Sequence, residues 1–165
     1  MRKNNISFIA NTAIVAGLYV ALTWLLAPIS FGAVQFRLSE VLVLLVVLNP
    51  KYALALILGC FIANTTSPLG WYDLVFGTLA TSIAVILMTR VKNVWIAALF
   101  PVLSNGIIIA LELGIAFDML TLDAYLFNAL TVGLGELGVL YLVGIPVIYA
   151  IKKNQKLAEL IGFEE

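Results

Sequence analysis

The sequence has no histidine, a single cysteine and few charged residues, and these absences exclude several classes of protein. Without histidine and with Cys60 alone, the chain offers no disulfide, no Cys/His zinc site and no nucleophile–histidine pair. We therefore expect neither an enzyme nor a bound metal or cofactor. No G-x-x-x-x-G-K-[ST] motif occurs, so the chain itself does not hydrolyse ATP. A net charge of zero without a basic run argues against nucleic acid as a partner.

Apolar residues are abundant instead. Of 165 residues, 63% are hydrophobic and 11% charged, whereas ordinary soluble domains have about 45–50% and about 25%. Lipid must therefore surround most of the chain. Turn residues divide it into six apolar stretches, at approximately residues 6–29, 38–48, 51–67, 71–89, 94–117 and 124–151. We predict an all-α integral membrane protein, a single transmembrane domain over residues 1–165 with six transmembrane helices.

The basic residues predict the orientation of these spans. If the N-terminus is cytoplasmic, eight of the nine basic residues fall on the cytoplasmic side, in the tails and the inner loops. This distribution is typical of six spans with both the N- and the C-terminus in the cytoplasm. The exception is Arg37, in the first outer loop.

Four acids lie within the predicted spans or at their outer edge: Glu40, Asp73, Glu112 and Glu136. A carboxylate at the centre of a bilayer costs about 2.5–3.5 kcal/mol on insertion scales, so such residues are expected to face a cavity or a partner. The amides at similar depth are Asn64, Asn105 and Asn128. These acids and amides are the candidates for a binding site.

Helical phase favours convergence of these groups. Asn105 and Glu112, seven residues apart, share one face of the fifth span. Asn128 and Glu136, eight apart, can border the same cavity at different heights. The aromatic residues at the outer loops, next to the acids, are Phe36, Trp71 and Tyr72.

A pocket of carboxylates, amides, one arginine and aromatic rings suits a small, flat, nitrogen-rich and cationic ligand. Each group also has a plainer interpretation. Trp71 and Tyr72 are typical of the interfacial aromatic belt, and Arg37 can lie at the rim paired with Glu40. Glu112 and Glu136 can hydrogen-bond between helices.

Small residues repeat every fourth position on the first span, at Ala13, Gly17 and Ala21. Such a stripe allows another helix to approach closely, either within the bundle or from a partner protein. Because the chain lacks an ATP-hydrolysing motif, a partner or an ion gradient must supply the energy for any uphill transport.

Several short motifs, in order, resemble those of the queuosine-precursor transporter (QueT-type) family over about residues 13–146. The first three are Val34-Gln35-Phe36-Arg37-Leu38-Ser39-Glu40, Gly59-Cys60-Phe61-Ile62-Ala63-Asn64 and Asp73-Leu74-Val75-Phe76-Gly77-Thr78-Leu79-Ala80-Thr81. The others are Asn105-Gly106, Val132-Gly133-Leu134-Gly135-Glu136 and Gly144-Ile145-Pro146. The stretch Thr65-Thr66-Ser67-Pro68 departs from the family, in which a more glycine-rich turn is expected.

The resemblance implies a six-helix substrate-binding S component of an energy-coupling factor (ECF) transporter in the bacterial plasma membrane. Such a protein captures a small molecule from outside and docks on a transmembrane coupling protein driven by two cytoplasmic ATPase subunits. The stripe at Ala13, Gly17 and Ala21 would contact the coupling protein. The cargo implied is a 7-deazaguanine such as preQ1, or queuine.

This resemblance and the polar pocket together give a binding-site hypothesis. Glu136 and Glu112 would hold the ring edge and the amino group, in an order left open. Asn64, Asn105, Asp73 and Asn128 would complete the polar rim, with Phe36, Trp71 or Tyr72 stacked on the ring and a Glu40–Arg37 ion pair closing the mouth. The alternatives are a stand-alone ion-coupled secondary transporter and an S component for a different vitamin.

Overall fold

The chain folds into helices joined by short loops. The structure, a computed structural model, describes residues 2–32 and 35–162, with side chains from residue 8 onward. The helices are α1 (Arg2–Leu25), α2 (Leu38–Leu48), α3 (Tyr52–Asn64), α4 (Asp73–Met88), α5 (Val94–Ala116), α6 (Leu122–Lys153) and α7 (Gln155–Leu160). A single helical turn, Ala27–Ser30, follows α1. The described residues contain no strand, so the all-α prediction is confirmed.

Each of the six predicted stretches coincides with one of the helices α1 to α6. Three helical segments are long and apolar enough to cross a membrane: Phe8–Leu25, Val94–Ala116 and Leu122–Lys153. The helices α2, α3 and α4 are shorter. The membrane class follows from this architecture, while six crossings with cytoplasmic termini stay a prediction.

Local sequence explains several helix ends and irregular turns. The side chains of Asn93, Thr121 and Asn154 accept hydrogen bonds from backbone amides at the starts of α5, α6 and α7. The helix α2 begins as a 3₁₀ helix, Leu38–Leu44. Wider π-helical turns occur at Asp73–Gly77 in α4 and at Val139–Gly144 in α6. Such turns are often found at functional sites.

The helices pack as two pairs around α2. The pairs are α1 with α3 and α5 with α6, and α4 lies between α3 and α5. Glycines permit both close contacts: a Cβ on Gly59 would lie 3.0 Å from the Cβ of Tyr19, and one on Gly106 would lie 3.3 Å from the carbonyl oxygen of Ala129. The central α2 contacts α1 and the π-helical part of α6, and most of its side chains are buried.

The two ends of the bundle differ in chemistry. At one end, here called the Asn49 end, Asn49 donates a hydrogen bond to the carbonyl oxygen of Ile161 at 3.2 Å and so holds α7 against the bundle. The largest buried apolar cluster extends from this end into the middle and includes Leu44, Leu48, Tyr52, Met88, Leu140, Ile145 and Ile148. Most of the buried polar side chains lie toward the other end, here called the Gln35 end.

The outer surface of the bundle is apolar. Leu25 is 79% exposed and Leu142 77% exposed, and many other large apolar side chains share this outward position. A soluble monomer rarely presents so much contiguous apolar surface. Contact with lipid explains it.

Candidate ligand-binding site

A narrow cavity at the Gln35 end is lined by Gln35, Arg37, Glu40, Asn105 and Glu136. Each of these side chains is at most 6% exposed. They come from the loop before α2, from α2 itself, and from α5 and α6, so four parts of the chain meet here. This group is called the inner cavity below.

The backbone at Gln35 directs two of these side chains inward. Gln35 has a φ of 47°, in the left-handed region that few residues other than glycine adopt. In the extended segment that follows, Gln35 and Arg37 are buried whereas Phe36 between them is 38% exposed. The Phe36 ring lies against α6, where a Cβ on Gly138 would be 3.6 Å from it.

Arg37 is paired with Asp73 at the start of α4. Nη2 of Arg37 lies 3.8 Å from Oδ1 of Asp73. The Ser67 hydroxyl donates a hydrogen bond to the other carboxylate oxygen of Asp73. The side-chain amide of Asn64 donates to the Asp73 carbonyl oxygen at 2.9 Å, which fixes the π-helical turn. In place of the expected ion pair with Glu40, the structure pairs Arg37 with Asp73, the first residue of the π-helical turn.

Glu40 is instead bound to α1. The Tyr19 hydroxyl donates a hydrogen bond to Oε1 of Glu40. One turn further along α1, the hydroxyl of Thr23 lies 2.7 Å from that of Ser39. These two contacts hold α2 in register with α1, and Glu40 and Glu136 both line the inner cavity.

Several acidic oxygens in this region have no hydrogen-bond partner within the described part of the chain. They are Oε2 of Glu40, Oδ1 of Asp73, Oε1 of Glu136 and both carboxylate oxygens of Glu112. Glu136 lies close enough to Glu40, Arg37 and Asn105 to interact with them, and Glu112 lies beside Asp73. Four buried acids therefore surround one arginine, and an unpaired buried carboxylate is costly. The arrangement is suited to binding N–H donors or a cation.

A larger cavity of about 680 Å³ adjoins the inner one and is called the outer cavity. Gln35 borders both. Its walls are mostly apolar and aromatic, and the residues that line it are Phe31, Gly32, Gln35, Pro68, Leu69, Leu113, Phe117, Met119, Asp123, Ala124, Phe127 and Asn128. Cζ of Arg37 lies 5.3 Å from the centroid of the Phe31 ring, within range of a cation–π contact.

The predicted site residues fall into three groups. The inner cavity and its ion pair contain Arg37, Glu40, Asp73, Asn105 and Glu136, and the outer cavity contains Asn128. Glu112 and Asn64 are fully buried behind them and line neither cavity. Phe36, Trp71 and Tyr72 also line neither cavity. Trp71 stacks on Tyr72 with ring centroids 3.9 Å apart and is 59% exposed.

The sequence interpretation missed Gln35, Phe31, Phe117 and Phe127, which line the cavities, and Tyr19 and Ser67, which hold the acids. Gln35 lies in the first of the family motifs, and Ser67 lies in the stretch that departs from the family. Neither was predicted as a site residue. Tyr19 lies three residues from Ala16 on the buried face of α1, where an aromatic residue predicts packing rather than a bond to an acid.

The small-residue stripe lies on the opposite face of α1. Ala13, Gly17 and Ala21 are exposed and line a groove of about 720 Å³ between α1 and α3. A Cβ on Gly17 would meet no atom within 4 Å. The stripe therefore makes no close packing contact at Gly17 within the described part of the bundle.

The fold and the site define a helical membrane protein with a buried, acid-rich cavity at one end. The family model described as "QueT transporter" matches residues 9–153 of the chain. The chain therefore belongs to the QueT transporter family, as the motifs predicted.

One curated relative extends this comparison. The chain is 41% identical over 99 residues to a Lactococcus lactis subsp. cremoris (strain MG1363) protein named "Queuosine precursor transporter QueT". The matched region is 56% of this chain and 58% of the relative's length, so the chain spans little more than half of that protein. No solved structure gives a significant match.

Proposed function

We propose that the chain is the substrate-capture S component of an ECF-type importer that takes up a queuosine precursor, a 7-deazaguanine such as preQ1, or queuine. Membership of the QueT transporter family supports the transport role. The observation that carries the ligand class is the acid-rich inner cavity, in which Glu40 and Glu136 each keep one oxygen without a partner among the described residues. A deazaguanine presents N–H groups along one edge, and carboxylates accept such donors well.

The orientation follows from the two ends of the bundle. The basic residues Lys51, Arg90, Lys92, Lys152, Lys153 and Lys156 lie in loops or the tail toward the Asn49 end. Lys and Arg are enriched on the cytoplasmic side of membrane proteins. The Gln35 end then faces outward, so both cavities open toward the compartment from which the cargo comes, with six spans in the bacterial plasma membrane and both termini on its cytoplasmic side.

The energy must come from partner subunits in this proposal. The chain has no ATP-binding loop motif. The groove at Ala13, Gly17 and Ala21 offers a smooth apolar face to a transmembrane coupling protein, which two cytoplasmic ATPase subunits would drive. No enzymatic step and no cofactor is required of this chain.

A stand-alone ion-coupled carrier is the second candidate, and the buried acids favour it because such residues also form ion pathways. It predicts gradient-driven uptake by vesicles that contain this protein alone. The S-component proposal predicts ligand binding by such vesicles but no uptake until the coupling protein and the ATPases are added.

Ligand binding by the purified full-length protein tests the proposal. We expect tight binding of preQ1, weaker binding of guanine, and none of thiamine as an unrelated vitamin. Glu136→Gln and Glu112→Gln should weaken preQ1 binding, whereas Glu159→Gln, the same charge change at the Asn49 end, should not. If both cavity-region variants bind preQ1 as tightly as the parent, the site is wrong, and if thiamine binds instead of preQ1, the cargo is wrong.

A further inference from the structure

A shallow depression of about 570 Å³ lies at the corner where α6 ends and α7 begins, lined by Ala150, Lys153, Asn154, Gln155 and Lys156. Both lysines are exposed, and the structure pairs neither with an acid among the residues it describes. Lysines in the last turn of a helix favour its carbonyl end, which accounts for Lys153 but not for Lys156, beyond that end. Glu159, on the same short helix, lines a separate crevice. The corner thus presents two ammonium groups to a ligand from outside the bundle.

The exposed face of α6 changes in chemistry as it approaches this corner. Pro146, Tyr149 and Lys153 are three and four residues apart, so they share one face of the regular helical part, Ile145–Lys153, and all three are exposed. Along this face an apolar residue is followed by an aromatic one and then by a basic one. A lipid leaflet has the same order, from acyl chains through the interface to charged headgroups.

A cluster of one tryptophan and two tyrosines marks the level of the interface on this face. Trp95, at the start of α5 and half-exposed like Tyr149, donates a hydrogen bond from Nε1 to the Tyr149 hydroxyl at 3.2 Å. The Tyr141 hydroxyl donates to the Trp95 carbonyl oxygen at 2.7 Å. Tryptophan and tyrosine are enriched at the membrane–water interface, where their rings lie at the headgroup level. Lys153, one helical turn beyond Tyr149, therefore lies among the headgroups.

The fixed position of α7 keeps Lys156 at this level too. The Asn154 side chain accepts a hydrogen bond from the backbone N–H of Leu157 at the start of the helix. At its other end, Asn49 donates to the carbonyl oxygen of Ile161. Leu157 is 43% exposed, next to the exposed Lys156. A helix that presents leucine and lysine to its surroundings is suited to the interface of a membrane.

We propose that this corner binds an anionic phospholipid of the surrounding leaflet, whose phosphate lies between Lys153 and Lys156 and whose acyl chains follow α6 past Tyr149 and Pro146. Lysine is a common partner of phosphate groups. A phospholipid joins an anionic headgroup to apolar chains in one molecule, which matches the two kinds of surface that meet here. A free phosphate would use the lysines alone. This lipid site requires only that the protein lies in a membrane, and it is independent of the cargo proposed above.

Quenching of Trp95 fluorescence by brominated lipids tests this site. The chain has three tryptophans, so Trp95 is the one left in a Trp24→Phe/Trp71→Phe background. The full-length protein is placed in phosphatidylcholine vesicles that contain a small fraction of brominated phosphatidylglycerol, or the same fraction of brominated phosphatidylcholine. We expect the anionic lipid to be preferred by roughly 5-fold per lysine (about 1 kcal/mol), which gives roughly 30-fold for the two together.

Substitutions assign the preference to the corner. Lys153→Gln and Lys156→Gln should each reduce it roughly 5-fold, and the double variant should abolish it. Lys153→Arg keeps the charge and should keep the preference. Lys51→Gln is the matched control: it removes the same charge at the Asn49 end, but from the separate crevice that also contains Glu159, and should leave the preference unchanged.

Each other result overturns the lipid site. Equal quenching by both lipids leaves the lysines to solvent or to an acidic segment of a partner protein. An equal loss in Lys51→Gln means that the whole Asn49 end attracts anionic lipids without a particular site. Displacement of the lipid by inorganic phosphate, beyond the effect of sodium chloride at the same ionic strength, assigns a free anion instead. A folded double variant that keeps the preference refutes the placement between Lys153 and Lys156.

Discussion

Replacement of Gly17 by leucine is expected to weaken docking on a partner protein while leaving ligand binding unchanged. A Cβ at Gly17 would meet no atom within 4 Å, and the groove of about 720 Å³ beside it has room for the rest of a leucine side chain. In an exposed helix interior, glycine costs about 0.5–1 kcal/mol relative to alanine, so the Gly17→Leu variant should be at least as stable as the parent. Its ligand affinity should also be unchanged, because Tyr19 and Thr23 lie on the other face of α1.

If a coupling protein docks on this stripe as proposed, its association should weaken instead. A leucine inserted into a contact built for small residues causes overpacking, which costs about 1–3 kcal/mol. This converts to roughly 5- to 150-fold weaker association. The assays are isothermal titration with preQ1, co-purification with the coupling subunits, and uptake of preQ1 by cells that express the complete transporter.

Gly59→Leu is the matched control on the contact between α1 and α3. Its first side-chain carbon alone would lie 3.0 Å from the Cβ of Tyr19 and 3.1 Å from the carbonyl oxygen of Ala16. We expect this variant to unfold at a lower temperature and to lose ligand binding. The reasoning about the stripe is refuted if Gly17→Leu supports uptake at the parent rate, or if it loses ligand affinity in the same way as Gly59→Leu.

Three further substitutions test the polar contacts. Asp73→Asn removes the acid paired with Arg37, and breaking a buried pair costs about 3–5 kcal/mol; a thermal midpoint in detergent equal to that of the parent would contradict the pairing. Tyr19→Phe removes the donor to Glu40 and should cost about 1–3 kcal/mol, measured by the same unfolding assay, while a neutral result would mean that this bond contributes nothing. Asn49→Ala removes the bonds to the residues after α7, so hydrogen exchange should accelerate in residues 155–162 with preQ1 binding unchanged; unaltered exchange would show that other contacts hold this helix.

The positions of the helices could be predicted from the sequence because apolar stretches and turn residues are local signals. Asn49-Pro50 marks the end of α2, and Asn93 marks the start of α5. The π-helical turns in α4 and α6 could not be predicted in this way, since nothing in the apolar pattern of Asp73–Gly77 distinguishes a wider turn from a regular one. The pairing of Asp73, at the start of one of these turns, with Arg37 was therefore not predicted either.

The acids of the site were predictable, but the aromatic residues were not. Burial of a carboxylate in an apolar chain is costly wherever it lies, so Glu40, Glu136 and Asp73 could be identified without knowing the fold. Which aromatic rings face a cavity depends on the direction in which each loop leaves its helix. Trp71 and Tyr72 turn toward each other and the surface, while Phe31, before the left-handed turn at Gln35, lines the outer cavity.

The buried apolar cluster closes the site on the side that faces the Asn49 end. Leu44, Leu140, Ile145 and Ile148 fill the bundle between the inner cavity and the Asn49 end, and each is at most 2% exposed. A cargo bound beside Glu136, as proposed, would therefore have no route onward through the described helices and would leave by the opening through which it entered. Under the proposed function, delivery of that cargo to the opposite side of a membrane would require the whole bundle to turn its opening toward that side, or a partner to separate the helices.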